Sequence, residues 1–184
     1  MASGASFQPP SERTKAHFES TPWAIKYFED PTLQPFEPTL TVNSFIGNTL
    51  NTPNTILAWQ YFQKTPASTD NYPEVLGLVK LGCGVNGLDG VCHVGFLSTL
   101  LDETAENATD FARPEGSSTM TARLNVSYKK AVSTPGVILT RAVVVKREGK
   151  KLTVKTAIED GTGTVLAVAE ALFIIIDNTG AVKL

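Results

Sequence analysis

The sequence predicts an α+β fold in which one long helix is wrapped by an antiparallel sheet of about six strands. Three observations carry this. A single stretch of helical periodicity, residues 94–108, follows a loop of small residues. Two segments of strand character precede it, and four more, separated by turn residues, follow it. One helix among strands in this order implies an antiparallel sheet packed on that helix.

The chain has 184 residues with 42% hydrophobic content, enough to bury one sizeable core. Residues 1–48 are expected to form an N-terminal arm and residues 49–184 the main domain. Within the arm, residues 1–10 are small, polar and proline-containing, a composition of disorder. The stretch "SERTKAHFESTPWAIKYFED" (11–30) carries Phe18, Trp23, Ile25, Tyr27 and Phe28. Pro22 interrupts it, which predicts two short helices, or a helix and a turn, rather than one long helix. The proline-rich "DPTLQPFEPTLT" (30–41) reads as an extended connector.

Strand character begins with "TILAWQYFQK" (55–64), rich in β-branched and aromatic residues, and continues in "EVLGLVKLGCGV" (74–85). After the helix, "TARLNVSYKKAV" places Leu124, Val126 and Tyr128 on one face. "GVILTRAVVVKREG", "KLTVKTAIED" and "TVLAVAEALFIII" complete the sheet, with glycine-containing turns between them.

Composition excludes several classes. Sixteen basic against eighteen acidic residues leave a net charge of −2, a poor basis for binding nucleic acid. No apolar run reaches the roughly 18 residues of a membrane span, and the first twenty residues lack the apolar core of a secretory signal. A soluble, cytoplasmic protein is expected, and the sequons at Asn107 and Asn125 are then incidental. Cys83 and Cys92 form neither a CxxC nor a metal-ligand pattern with the two histidines, so no metal is expected. The glycine-rich "GCGVNG" matches no complete phosphate-binding fingerprint, and no cofactor is expected. Cys92 and His93 are adjacent, which disfavours a side-chain dyad, so Cys92 reads as a small buried residue.

The chemistry concentrates in "GVCHVGFLSTLLDE" (90–103). At 100° per residue, Phe96, Leu97, Leu100, Leu101, Ala105 and Ala108 form one broad apolar face with Thr104 near its centre. Asp102 then projects about 150° and Glu103 about 110° from that centre, so both carboxylates are expected to lie off the core, Asp102 beside Ser98 and Glu106. His93 stands at the helix start, where unpaired N–H groups and the positive dipole end favour a developing negative charge. A carbonyl bound there would be polarised as in an oxyanion hole. Asp102 lies about two and a half turns further on, so the two groups meet one carbonyl only if the substrate is long or a second subunit contributes.

These residues resemble the hotdog-fold thioesterases of the phenylacetate-pathway and acyl-CoA thioesterase type, most nearly the fungal single-domain members with an N-terminal extension. The family pattern of a glycine, a spacer, His-Gly-Gly, an apolar helix and an Asp nine residues after the histidine is met by Gly90, His93, Gly95 and Asp102. A strand of the form T-x-x-L-N-V-x-Y follows, here Thr121, Leu124, Asn125, Val126 and Tyr128. The resemblance covers about residues 50–177. It implies a homodimer or homotetramer with the site at the subunit interface. Asp102 is implied as general base or nucleophile, and the backbone N–H groups of Val94 and Gly95 as holders of the carbonyl oxygen. His93 is implied as orienting group, and Thr121 as positioning the attacking water across the interface. Asn86 matches an asparagine that precedes the histidine in relatives, and Glu103 completes the substrate-contacting candidates.

One departure stands out: Val94 occupies the place of the first family glycine. Its N–H survives, but its branched side chain narrows the approach. Three readings follow: hydrolysis of an acyl thioester of coenzyme A or a carrier protein, an acyl-binding hotdog protein without chemistry, and a hotdog dehydratase or isomerase. Spacing favours the first. Arg123, Lys129, Lys130 and Arg141 are candidates to meet coenzyme or carrier phosphates, or are simply a solvated strand edge.

Overall fold

A computed structural model describes residues 6–37, 45–66, 68 and 71–177. Part of the stretch expected to be disordered (1–5) and part of the proline-rich connector (38–41) lie outside the described residues. The elements, in chain order, are β1 (Ser6–Phe7), α1 (Glu12–Ala16), α2 (Pro22–Glu29), β2 (Leu33–Glu37), β3 (Ile56–Lys64), β4 (Glu74–Leu81), β5 (Asn86–Leu88), β6 (Val91–Cys92), α3 (Val94–Thr109), β7 (Ser117–Tyr128), β8 (Gly136–Glu148), β9 (Lys151–Glu159) and β10 (Val165–Asp177). Among the described residues, ten strands and a 16-residue helix α3 thus frame the fold.

The main sheet is antiparallel throughout and has eight strands in the order β1-β2-β3-β4-β8-β9-β10-β7. That corrects the expectation of about six. The two extra strands come from the N-terminal segment. Leu33–Phe36 pairs with Tyr61–Lys64 of β3, and the Phe36 ring stacks on Tyr61 with centroids 5.8 Å apart. Part of what read as a connector is therefore a strand.

Alternation along each strand divides its side chains between two faces. On the inner face, Val79, Leu81, Ile138, Ile158 and Ala169 pack on Phe96, Leu97, Leu100 and Leu101 of α3. Further along the helix, Ala105 and Ala108 meet Val75, Ala142, Val154 and Phe173. Each leucine fully buried here stabilises the fold by about 1.5–3 kcal/mol. Thr104, at the stripe centre, is fully buried but satisfied, its one hydroxyl proton shared between Leu100 O (2.8 Å) and Thr140 Oγ1 (2.9 Å).

On the opposite face, Phe18 of the turn between α1 and α2 and Ala24 of α2 pack against Phe62, Leu76, Leu78 and Leu139 of β3, β4 and β8. Trp23 lies over Gly161 so closely that a Cβ there would fall 2.2 Å from the ring. Lys80 Nζ closes the end of α1 by donating to His17 O (2.7 Å). The described N-terminal helices thus pack in cis on the sheet face turned away from α3.

Candidate active site

The loop before α3 is built to present the helix start. Gly90, with φ of +68°, turns the β5–β6 hairpin, a conformation that favours glycine. The Asn86 amide sits with its nitrogen toward Cys83 O (3.1 Å) and Thr134 Oγ1, and its oxygen toward the Gly90 N–H (3.3 Å). Asn86 therefore braces the loop and is engaged away from the helix start. The His93 N–H donates to Val85 O (2.8 Å), which ties the loop to the preceding turn.

His93 is the N-cap of α3. Its backbone is extended (φ −66°, ψ 132°), and its Nδ1 accepts from the Gly95 N–H at 3.0 Å. That contact leaves the ring proton of the neutral imidazole on Nε2. It also requires glycine nearby: a Cβ on Gly95 would lie 3.0 Å from the ring, and one on Gly87 3.1 Å from the His93 Cα. Of the four N–H groups that a helix start leaves over, His93 donates to Val85 O, Gly95 to His93 Nδ1 and Phe96 to His93 O. The Val94 N–H is left without an acceptor among the described residues. Gly95, expected as a second donor to a carbonyl oxygen, is thereby already engaged.

Further along α3, Asp102 Oδ1 accepts from Thr121 Oγ1 at 2.9 Å. Within the chain itself, β7, the last strand of the sheet, runs beside α3 and brings Thr121 to Asp102. Burial pushes the Asp102 carboxyl above the usual range, and the Thr121 hydrogen bond pulls it partly back. Asp102 is thus half-buried and faces the sheet edge, rather than pointing wholly away. Glu106, one turn on, is also pushed up, by partial desolvation and then by the Asp102 charge.

Glu103 departs from expectation too. It is buried, on the flank of α3 turned to Tyr61, whose hydroxyl it helps hold above its ordinary pKa after burial itself. The solvated position expected for it supposed a flat sheet against one side of the helix, whereas the curled sheet encloses a wider arc. Asp102 and Glu103 therefore occupy opposite flanks of α3 and do not form one carboxylate pair.

A β-bulge in β7 decides which residues reach α3. Leu172 pairs with Arg123 and Phe173 with Thr121, so Ala122 is the extra residue. Thr119 and Thr121 are odd-numbered, whereas Leu124, Val126 and Tyr128 are even-numbered. Without the bulge the two sets would face opposite sides of the sheet. With it, Thr119 Oγ1 meets Thr109 Oγ1 (2.8 Å), Thr121 meets Asp102, and Leu124 and Val126 enter the core. Tyr128 Oη donates to Val94 O (3.2 Å) and lies 2.5 Å from Ser98 Oγ. Sequence reasoning missed the bulge and the part played by Tyr128. The signal was the seven-residue interval between Thr121 and Tyr128, which an unbroken strand cannot place on one face.

Of the four basic candidates, Arg141 is already paired, with Glu74 (2.9 Å) and Glu159 (3.4 Å). Those residues line a groove of about 510 Å³ with Lys155, Val168 and Glu170, on the sheet face away from Asp102. Lys129 and Lys130 follow the end of β7 at Tyr128 and are exposed.

A helix capped by histidine at its exposed start, carrying a half-buried aspartate and wrapped by an antiparallel sheet, defines a hotdog-fold domain with a polar site along the helix. Residues 89–167, which hold His93, Val94, Gly95, Asp102 and Thr121, match the model of the thioesterase superfamily. The chain is similar to the acyl-coenzyme A thioesterases THEM4 of Mus musculus (34% identical over 103 residues, 55% of this chain and 43% of that one) and Rattus norvegicus (35% over 104 residues, 56% and 44%). It spans under half the length of these curated relatives. Among solved structures, a Bacillus halodurans protein determined with CoA superposes with a TM-score of 0.51 at 24% identity, over 56% of this chain and 66% of that one. A phenylacetic acid degradation-related protein of Ralstonia eutropha gives 0.55 at 18% identity, over 70% and 88%.

Proposed function

We propose that the chain is a thioester hydrolase, acting on an acyl group carried by coenzyme A or by a carrier protein, in which Asp102 activates the attacking water. The observation that carries this reading is the placement of a desolvated, Thr121-bonded Asp102 on the same helix whose start offers the free Val94 N–H. The water oxygen attacks the thioester carbon while Asp102 takes its proton. The carbonyl oxygen becomes an oxyanion held by the Val94 N–H and the positive end of α3. Collapse breaks the C–S bond, and the thiolate leaves with the proton from Asp102. His93 acts by capping the helix and aiming its first turn.

Eight residues of helix separate Val94 from Asp102, about 12 Å, too far for one carbonyl. The working unit is therefore a homodimer, in which the helix start of one copy faces Asp102 of the other. The long edge strand β7 offers the unpaired backbone for such an association. Lys129 and Lys130 are the cations available to phosphates of the thiol carrier, and the cytoplasmic location expected from the sequence belongs to this reading. A second reading, acyl binding without turnover, is favoured by the exposed Val94 side chain at the approach to its own N–H (48% exposed). A gain of hydrolysis in Val94→Gly would favour it.

The test removes the Val94 N–H. Val94 is the first helical residue, where proline is tolerated, and the extended His93 backbone suits a following proline. Val94→Pro is expected to fold and to lose thioester turnover about 100-fold, as for removal of one oxyanion donor. Mixing it with Asp102→Asn chains is expected to restore activity, because mixed dimers contain one intact site. Full activity in Val94→Pro, or no restoration on mixing, would contradict the arrangement.

A further inference from the structure

We propose that Tyr128 is a positioning residue for the oxyanion donor: its hydroxyl fixes the first turn of α3 to strand β7 and so aims the Val94 N–H. This rests on the thioesterase reading above and deepens it.

Two contacts carry the inference. The phenol donates its one proton to Val94 O (3.2 Å), so the 2.5 Å contact is the Ser98 hydroxyl donating to Tyr128 Oη. Val94 and Ser98 are one helical turn apart, and Tyr128 therefore grips the first turn at both of its ends. On the other side of Val94, the His93 ring caps Gly95, and the His93 N–H is tied to Val85 O. The Val94–Gly95 peptide is thus held at both ends, its C=O by Tyr128 and its N–H by the His93 ring, and the preceding peptide, which carries the Val94 N–H, is held through His93 O by the Phe96 and Leu97 N–H groups. What this leaves is a single N–H, unpaired among the described residues, with a fixed direction.

Burial does not account for Tyr128. It is 43% exposed on an edge strand, and only the Ala122 bulge turns it toward the helix at all. Bulges re-aim side chains next to functional sites. The same strand places Thr121 on Asp102, so one bulged strand aligns the base and the oxyanion donor of each chain.

Tyr128→Phe removes the hydroxyl and keeps the ring. Expected are a roughly tenfold lower kcat with an unchanged KM, since a misdirected donor affects the transition state more than binding. Ser98→Ala, which removes the second grip, is expected to lower kcat less. The second readout is amide exchange: Gly95–Leu97 are expected to exchange several-fold faster in Tyr128→Phe, with Leu100–Ala108 unchanged. Wild-type kcat in Tyr128→Phe would overturn the proposal, and so would unchanged exchange in the first turn. If the unaltered protein hydrolyses no thioester, the hydrolase reading fails by itself. The exchange comparison then decides whether Tyr128 holds the helix start.

Discussion

The Thr121 hydroxyl donates to Asp102 Oδ1 across 2.9 Å, from an edge strand to the middle of the central helix. Two opposing effects meet on that carboxylate. Burial disfavours its charge, and the hydrogen bond stabilises the charge. The result is a carboxyl held above its ordinary value of 3.8 yet still anchored in one orientation.

Removing the hydroxyl should move the acid side of the pH–rate profile. Only ionised Asp102 accepts a proton from water, so the rate falls as pH drops through its raised pKa. In Thr121→Ala the stabilising hydrogen bond is gone and burial remains, so the fall is expected at higher pH. Profiles of kcat/KM for the two proteins check this, and a shift to lower pH would contradict it.

Stability should respond to pH in the opposite sense from an ion-paired aspartate. Because the folded pKa of Asp102 lies above the unfolded one, the folded state holds the extra proton between the two values. The stability gained by protonation is present below the unfolded pKa and is lost as pH rises through the folded one. Asp102→Asn, which carries no charge to desolvate, should therefore melt at the same or a higher temperature than the wild type at neutral pH, the difference closing in acid. Thermal melts across that range decide it.

Two glycines guard the His93 cap. A methyl on Gly87 would meet the His93 backbone at 3.1 Å, whereas one on Gly95 meets only the edge of the ring at 3.0 Å. Gly87→Ala is expected to destabilise the protein by about 1–3 kcal/mol, as overpacking against backbone does, and Gly95→Ala by less. Both should lower turnover by displacing the imidazole. Denaturant titrations together with thioester assays on the two variants would show whether that ranking holds.

The N-terminal helices should act as part of the domain. Phe18 is fully buried among Phe28, Phe62 and Leu76, and Phe18→Ala is expected to cost about 3–5 kcal/mol. An equilibrium unfolding midpoint within error of wild type would mean that the helices dock only loosely.

What the sequence made legible follows local rules. The α3 stripe, the strands on either side of it and the two short N-terminal helices all carry periodicity or punctuation within a dozen residues. The polar end of α3 was legible for the same reason, since His93, Gly95 and Asp102 keep a fixed helical spacing. Features that depend on distant partners were not legible. Strand β2 contains Pro35 and resembles a linker until β3 supplies its pairing. Glu103 looked solvated because a helical wheel cannot show how far a sheet curls. The Ala122 bulge is a property of two strands in register, and without it Thr121 and Tyr128 cannot both face the helix. Asn86 matched a family position, but its side chain is engaged with Thr134, Cys83 and Gly90.

The most direct measurement is thiol release from a panel of acyl-CoA and carrier-mimic thioesters, with wild type beside Asp102→Asn. The wild type is expected to turn over at least one of these thioesters. The variant is expected to fold normally and lose 100-fold or more of that rate, the range of a general base. Near wild-type rates in the variant would contradict the role of Asp102. Bound acyl ligand without turnover in either protein would contradict the hydrolase itself.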